Sequence, residues 1–331
     1  MPSLTTVPTE ILLLVSDNLD IPSHFALASS SRSFYERLLP ALYRRAIATE
    51  PGELINNALI RNRLAALDRF IEYGLNINTL LPYGLFTRRW YSWSDELPTA
   101  VLAAAIRGSI RLVRLLIERG ADVNIGTMPA NETPIHVAAR CGNIDMIREL
   151  VAAGADIEAR TQNKWTPLWV ASHCKMWEEG KRKSDTIEAI KVLVELGADL
   201  EGRAENEDTP LMEAVLSGFV KGVQALCEAG ADVNSMDGTG IAVLHRAAEL
   251  GDRAIIKTLV AHGADVDKMV PNSAGIMWKP IQFFAAGRQR YMLWLEQRAI
   301  ADVPDPESGW AEKGAAEISA LLIPRETPMD L

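Results

Sequence analysis

The chain has 331 residues, 48% of them hydrophobic and 23% charged, which is the balance of a folded protein and not of a disordered one. A net charge of −9 argues against the basic field of a nucleic-acid binder, and no run approaches the ~18 consecutive apolar residues of a membrane-spanning helix. Three cysteines (Cys141, Cys174 and Cys227) make neither a C-x-x-C pair nor a disulfide framework, so a reducing cytoplasmic or nuclear compartment is expected.

The first predicted element is VPTEILLLVSDNL, Val7 to Leu19. It does not have the pattern of a secretion signal. No Lys or Arg occurs before Arg32, and Glu10, Asp17 and Asp20 flank the apolar residues. At a helical advance of about 100° per residue, Ile11, Leu12, Leu14, Val15 and Leu19 form one stripe, while Glu10, Ser16 and Asp17 face away with Leu13. Two more helical segments follow, around Phe25, Leu27 and Ala28 and around Phe34, Leu38, Leu39, Leu42 and Tyr43, punctuated by Pro22 and Pro40. A module of about 40 residues rarely holds together on its own core. Its apolar surface therefore needs cover, from the next part of the chain or from another protein.

From there on the chain repeats itself. Gly-Ala-Asp recurs at Gly120, Gly154, Gly197, Gly230 and Gly263, with spacings of 34, 43, 33 and 33 residues. Helix starts are marked by Thr133-Pro134, Thr166-Pro167 and Thr209-Pro210, where Thr caps the free amides and Pro at the first position loses no useful donor. Small residues such as Ala138-Ala139 and Ala247-Ala248 permit close stacking, and Gly142, Gly218 or Gly251 ends the helix in a left-handed cap. A second helix follows, as in Ile144, Ile147, Leu150 and Val151, and the next Gly-Ala-Asp stops it.

The period and the segments TPIHVAARCG from Thr133 and VLHRAAELG from Val243 resemble ankyrin repeats. Weaker units extend the array: YGLNIN from Tyr73 closes a degenerate repeat beginning near Glu53, and KPIQFFAAG from Lys279 opens a capping repeat that runs to Ile300. The resemblance implies an all-α solenoid of helix pairs with hairpin fingers, about seven units over residues 49–303, each burying its apolar face against its neighbours. In such repeats His136 and His245 tie loop backbone together, and the Asp of Gly-Ala-Asp is a turn residue. Residues 304–331 form a tail, with an amphipathic helix around Trp310, Ile318 and Leu321-Leu322 that covers the last repeat.

Departures from regularity mark the candidate binding surfaces. Between Asn78 and Thr99 the linker lengthens to LLPYGLFTRRWYSWSDELP, which carries Tyr83, Phe86, Arg88, Arg89, Trp90, Tyr91 and Trp93. Aromatics and Arg are the types enriched at interface hot spots. The same aromatics could instead fold back to seal the degenerate first repeat. A second insertion, MWEEGKRKSD, reads as a solvated loop before a helix that resumes at Thr186. Trp165 and Trp278 precede their helix starts at finger positions that are normally polar and exposed, and Trp169 replaces the signature His. With the long aromatic loop these tryptophans could line one concave recognition face, although packing is the simpler role for Trp278.

The N-terminal residues carry a second resemblance. Val7-Pro8-x-Glu10-Ile11-Leu12, then Leu19, Leu27, Arg32-x-Phe34 and Pro40-x-Leu42-Tyr43-Arg44 resemble an F-box of the form common in filamentous fungi, with Val7 where Leu is usual. An F-box followed directly by ankyrin repeats is an architecture familiar from fungi. The resemblance implies that residues 1–48 dock on the Skp-type linker of a cullin–RING ubiquitin ligase, through Val7, Pro8, Ile11, Leu12 and Leu19. The repeat surface would then select a protein substrate. The alternatives are a terminal cap that shields a scaffold with no link to ubiquitin, or a protein dedicated to one biosynthetic pathway with a small-molecule activity.

No catalytic motif is present: there is no G-x-S-x-G, P-loop, G-x-G-x-x-G or H-E-x-x-H. His173-Cys174, with Cys141 one repeat earlier, is the one conceivable nucleophile or metal cluster, and helix cysteines of this kind are usually packing residues. The expectation is a non-catalytic adaptor that needs no cofactor or metal.

Overall fold

The computed structural model describes residues 64–81, 98–173, 183–272, 275–286 and 312–322, with Arg44, Ile47 and Ala48 as isolated helical positions. The F-box-like residues Val7, Pro8, Ile11, Leu12 and Leu19 and the aromatic insertion from Tyr83 to Trp93 lie outside the described residues. Two units are distinguished, Met1–Pro134 and Ile135–Leu331, so one boundary falls inside the repeat region. The boundaries expected at residues 48 and 303 lie at or next to residues outside the described set.

In the first unit the described elements are α1 (Leu64–Glu72), α2 (Ala100–Ile106) and α3 (Ile110–Glu118). Thr99 caps α2 by accepting from Leu102 N at 3.4 Å, and every residue from Ala100 to Ala105 is buried. A helix so rich in alanine lets its neighbour approach closely, and α3 packs beside it through Leu112, Val113 and Leu116. The long insertion is pinned at its base, where Leu81 N donates to Pro98 O at 2.8 Å and the Leu81 side chain is buried. An ion pair of 2.8 Å joins Arg119 to Asp68 of α1.

In the second unit four helix pairs follow in order. They are α4 (Pro134–Arg140) with α5 (Ile144–Ala152), α6 (Pro167–Ser172) with α7 (Lys183–Glu195), α8 (Pro210–Leu216) with α9 (Val220–Glu228), and α10 (Val243–Leu250) with α11 (Arg253–Ala261). First helices stack on first helices, α6 on α8 and α8 on α10, and second on second, α5 on α7, α7 on α9 and α9 on α11. A short antiparallel finger comes next, β1 (Val270–Pro271) paired with β2 (Met277–Trp278), then helical residues 280–286 and finally α12 (Glu312–Leu322). Helix α7 begins at Lys183, three residues before the expected start at Thr186, so the insertion is partly helical. The expected tail helix is α12. It packs on α11 with Ile318 and Leu322 buried, while Trp310 lies outside the described residues.

The recurrent Gly-Ala-Asp has a local cause. Gly197 and Gly230 take φ of 98° and 96°, a left-handed conformation that only glycine adopts without strain. The following Asp folds the chain back on itself: Asp199 Oδ1 accepts from Glu201 N, and Asp232 Oδ1 from Asn234 N, each at 2.9 Å. Successive repeats are then laced together. Asp199 N donates to Glu158 at 2.8 Å, Asp232 N to Glu201 at 2.8 Å and Asp265 N to Asn234 at 2.9 Å. These aspartates are turn residues, as expected. Below the lacing the core is apolar, with Met146, Ile147, Leu150, Leu168, Leu193, Val223, Leu226, Ile255 and Leu259 all buried. Burying one such side chain contributes about 1.5–3 kcal/mol, which is what holds stacked helices of this length together.

Candidate functional site: an aromatic column beside a carboxylate cluster

Trp165 ends a tight finger. Lys164 takes a positive φ of 60°, its N–H donates to Thr161 O at 2.8 Å, and Trp165 N donates to the Thr161 hydroxyl at 3.0 Å. Thr166 then caps α6, accepting from Trp169 N at 3.2 Å, and Pro167 occupies the first turn. Positions 165, 169 and 173 are each four apart, so on a helical advance they come to one side. The rings stack in that order. Trp165 and Trp169 have centroids 4.6 Å apart at 6°, and Trp169 and His173 are 5.8 Å apart at 18°. Val170 and Ala204 pack against the pair.

The stack corrects one expectation. Trp169 is only 4% exposed, so it is the interior of a column and not itself an open face; Trp165 and His173 are the half-buried ends. It also breaks the pattern of its position. His136 Nε2 donates to Trp165 O at 3.0 Å and His245 Nε2 to Lys268 O at 3.1 Å, each tying its repeat to the following finger. This is the role expected of both histidines. Trp169 makes no such tie: its Nε1 is buried without a hydrogen-bond partner among the described residues. Trp278 behaves as a packing residue, half-buried and edge-on to Phe283, whose ring in turn meets His245 at 5.1 Å and 87°.

Beside the column lie acids that sequence reasoning did not single out. His173 Nδ1 is hydrogen-bonded to the Glu213 carboxylate on α8, and the Ser217 hydroxyl donates to Ser172 O at 3.4 Å. Asp208, buried at the finger before α8, accepts from the Asn206 amide. Burial, reinforced by the neighbouring charges of Asp237 and Glu213, pushes its carboxyl up to about 6. Asp237 is the opposite case. Burial would raise it, but the Thr239 hydroxyl, the Ile241 amide and the Arg246 guanidinium together hold it below the usual carboxylate range. Arg246 reaches Asp237 at 2.7 Å and Glu249 at 3.1 Å. The signal for this cluster was available in the alignment of repeats. Where α4 and α6 carry Val137 and Val170 next to the signature position, α8 and α10 carry Glu213 and Arg246.

The Cys141, His173 and Cys174 grouping gains nothing from the structure. His173 is committed to Trp169 and Glu213, Cys174 lies outside the described residues, and no metal-ligating group of three occurs among the described residues. Among those residues no helix is long and apolar enough to cross a membrane.

No curated protein matches the chain. The family model for ankyrin repeats, in three copies, matches it in overlapping segments at 55–161, 101–203, 158–237 and 182–270, together well over half its length. Helix pairs, left-handed glycine stops, histidine ties and the lacing of successive Gly-Ala-Asp turns agree with that match. The chain belongs to the ankyrin-repeat family, whose repeats serve as protein-binding scaffolds.

Proposed function

We propose that this protein is a substrate-recognition adaptor of a cullin–RING ubiquitin ligase. Its N-terminal module holds the Skp-type linker through Val7, Pro8, Ile11, Leu12 and Leu19, and its repeats hold the protein to be modified. Catalysis belongs to the recruited conjugating enzyme, and this chain contributes proximity and orientation. The observation that carries the reading is the F-box-like pattern from Leu4 to Ile47 set directly before a protein-binding repeat array. On the repeat side, the column of Trp165, Trp169 and His173 supports a recognition role, since aromatic residues dominate interface hot spots. The aromatic insertion with Tyr83, Phe86, Arg88, Arg89, Trp90, Tyr91 and Trp93 is a second candidate contact on the same chemistry. Such a ligase works in the cytoplasm or nucleus, which places the protein there.

The test is co-purification of the intact chain with a Skp-type linker, alongside a Pro8→Ala/Ile11→Asp double variant. Stoichiometric binding lost in the double variant, with the helical circular dichroism of the repeats unchanged, is the expected result. Binding that survives the double variant removes the docking assignment. No binding by the intact chain removes the ubiquitin link altogether.

A further inference from the structure

We propose that the face made by Trp165, Trp169, His173, Asp208 and Glu213 recognises an arginine side chain presented by an extended segment of a protein partner. The inference rests on the repeats being a recognition surface, as above, and adds the chemistry of what they recognise.

Two observations and one argument from shape converge on it. The first is what the repeat gives up. At the signature position His136 and His245 spend a ring nitrogen on the next finger's carbonyl, whereas Trp169, 4% exposed, leaves Nε1 without a partner among the described residues. A buried donor left unmade is destabilising. What takes the place of the tie is a parallel pair of indoles, 4.6 Å and 6° apart, whose outer member Trp165 keeps part of its surface in solvent.

The second observation is charge. The guanidinium of Arg246 is committed to Asp237 and Glu249, and beside it stand two more carboxylates, Asp208 and Glu213. Glu213 is hydrogen-bonded to the imidazole of His173, and Asp208 to the neutral amide of Asn206, with Arg246 acting on Asp208 only through its nearby charge. The elevated carboxyl of Asp208 agrees with this: burial raises it first, and the neighbouring charges of Asp237 and Glu213 add to that more than Arg246 offsets. A cation arriving here is attracted by carboxylates that are already largely desolvated, with Glu213 at 7% and Asp208 at 4% exposure.

The third is shape. Flat rings beside carboxylates fit a guanidinium better than an ammonium: guanidinium is planar, stacks on indole and offers paired donors to a carboxylate, while an ammonium is a strongly hydrated point charge. An anionic segment would meet Asp208 and Glu213 and be repelled.

A library of random twelve-residue peptides displayed on phage is selected on the intact chain. The best peptide is then synthesised with each Arg and with citrulline, which keeps the shape and removes the charge. Titration calorimetry is run on the parent chain, Glu213→Gln and Trp165→Ala, each checked for an unchanged thermal melt. The expected result is a shared Arg among selected peptides, with citrulline at least about tenfold weaker, roughly the loss of one charge-assisted contact. Glu213→Gln should erase most of that Arg-to-citrulline difference. Peptides that need Trp165 yet bind equally well with citrulline overturn the arginine assignment and leave the recognition face standing. If selection returns only peptides insensitive to Trp165→Ala and Glu213→Gln, or none, both are overturned. The citrulline exchange alters only the peptide, so a misfolded variant cannot decide the outcome.

Discussion

His245 offers a direct test of how this stack responds to acid. Its ring is fully buried, tied to Lys268 O at 3.1 Å and edge-on to Phe283. Burial pushes its imidazole down to about 4, and the carbonyl contacts only partly offset this. A depressed folded-state value means that the unfolded chain takes up the proton first. The stability contributed by neutral His245 is therefore present above about 6.5 and is lost as pH falls toward about 4. A drop from 6.5 to about 4, at about 1.4 kcal/mol per unit, sets the scale of that loss at roughly 3 kcal/mol. Asp208 works in the opposite sense over the same window. Its raised carboxyl contributes stability that is present below about 3.8 and lost as pH rises through about 6. The parent chain alone would hide both effects. The assay is urea unfolding, followed by circular dichroism, of the parent and His245→Gln at pH 7.5, 5.5 and 4.0. The advantage of the parent over the variant should shrink by about 2–3 kcal/mol from the highest to the lowest pH, with the Asp208 background cancelling in the difference. An advantage that stays constant across that range would refute the picture of a histidine held neutral by burial.

Asp208→Asn should stabilise the second unit by about 1–3 kcal/mol at pH 7.5 and have little effect at pH 4, because it replaces a carboxylate disfavoured by burial with a neutral amide. Urea midpoints at the two pH values check it. Arg246→Ala should cost about 3 kcal/mol by leaving the Asp237 side chain, 7% exposed, without its guanidinium, and Asp237→Asn added to it should recover part of the loss. Thermal melts of the single and double variants read this directly. The linker-docking and arginine-recognition experiments complete the set.

Much of the fold could be read from the chain because the features that create it are local. Thr166 and Thr209 cap the helices they precede, Gly197 and Gly230 stop helices through a backbone angle of their own, and Asp199 and Asp232 fold the turn two residues on. None of these needs a distant partner, so residue type and spacing are enough. The site was legible only in part. The Trp165-x-x-x-Trp169 spacing and the missing signature histidine were visible in the sequence. That Trp169 would be buried, and that His173 would meet a glutamate 40 residues away, was not. Those outcomes depend on how closely α8 stacks on α6 and where each finger tip falls, because hydrogen bonds and carboxyl shifts act over a few ångströms. Sequence alone determined that this chain forms repeated helix pairs, since capping, turn and stop signals act within each repeat; the protein-binding role comes with the ankyrin-repeat family. Only the tertiary structure decided which side chains of neighbouring repeats share one environment. There, Glu213 and Asp208 become neighbouring carboxylates beside stacked indoles, a property that no single repeat carries.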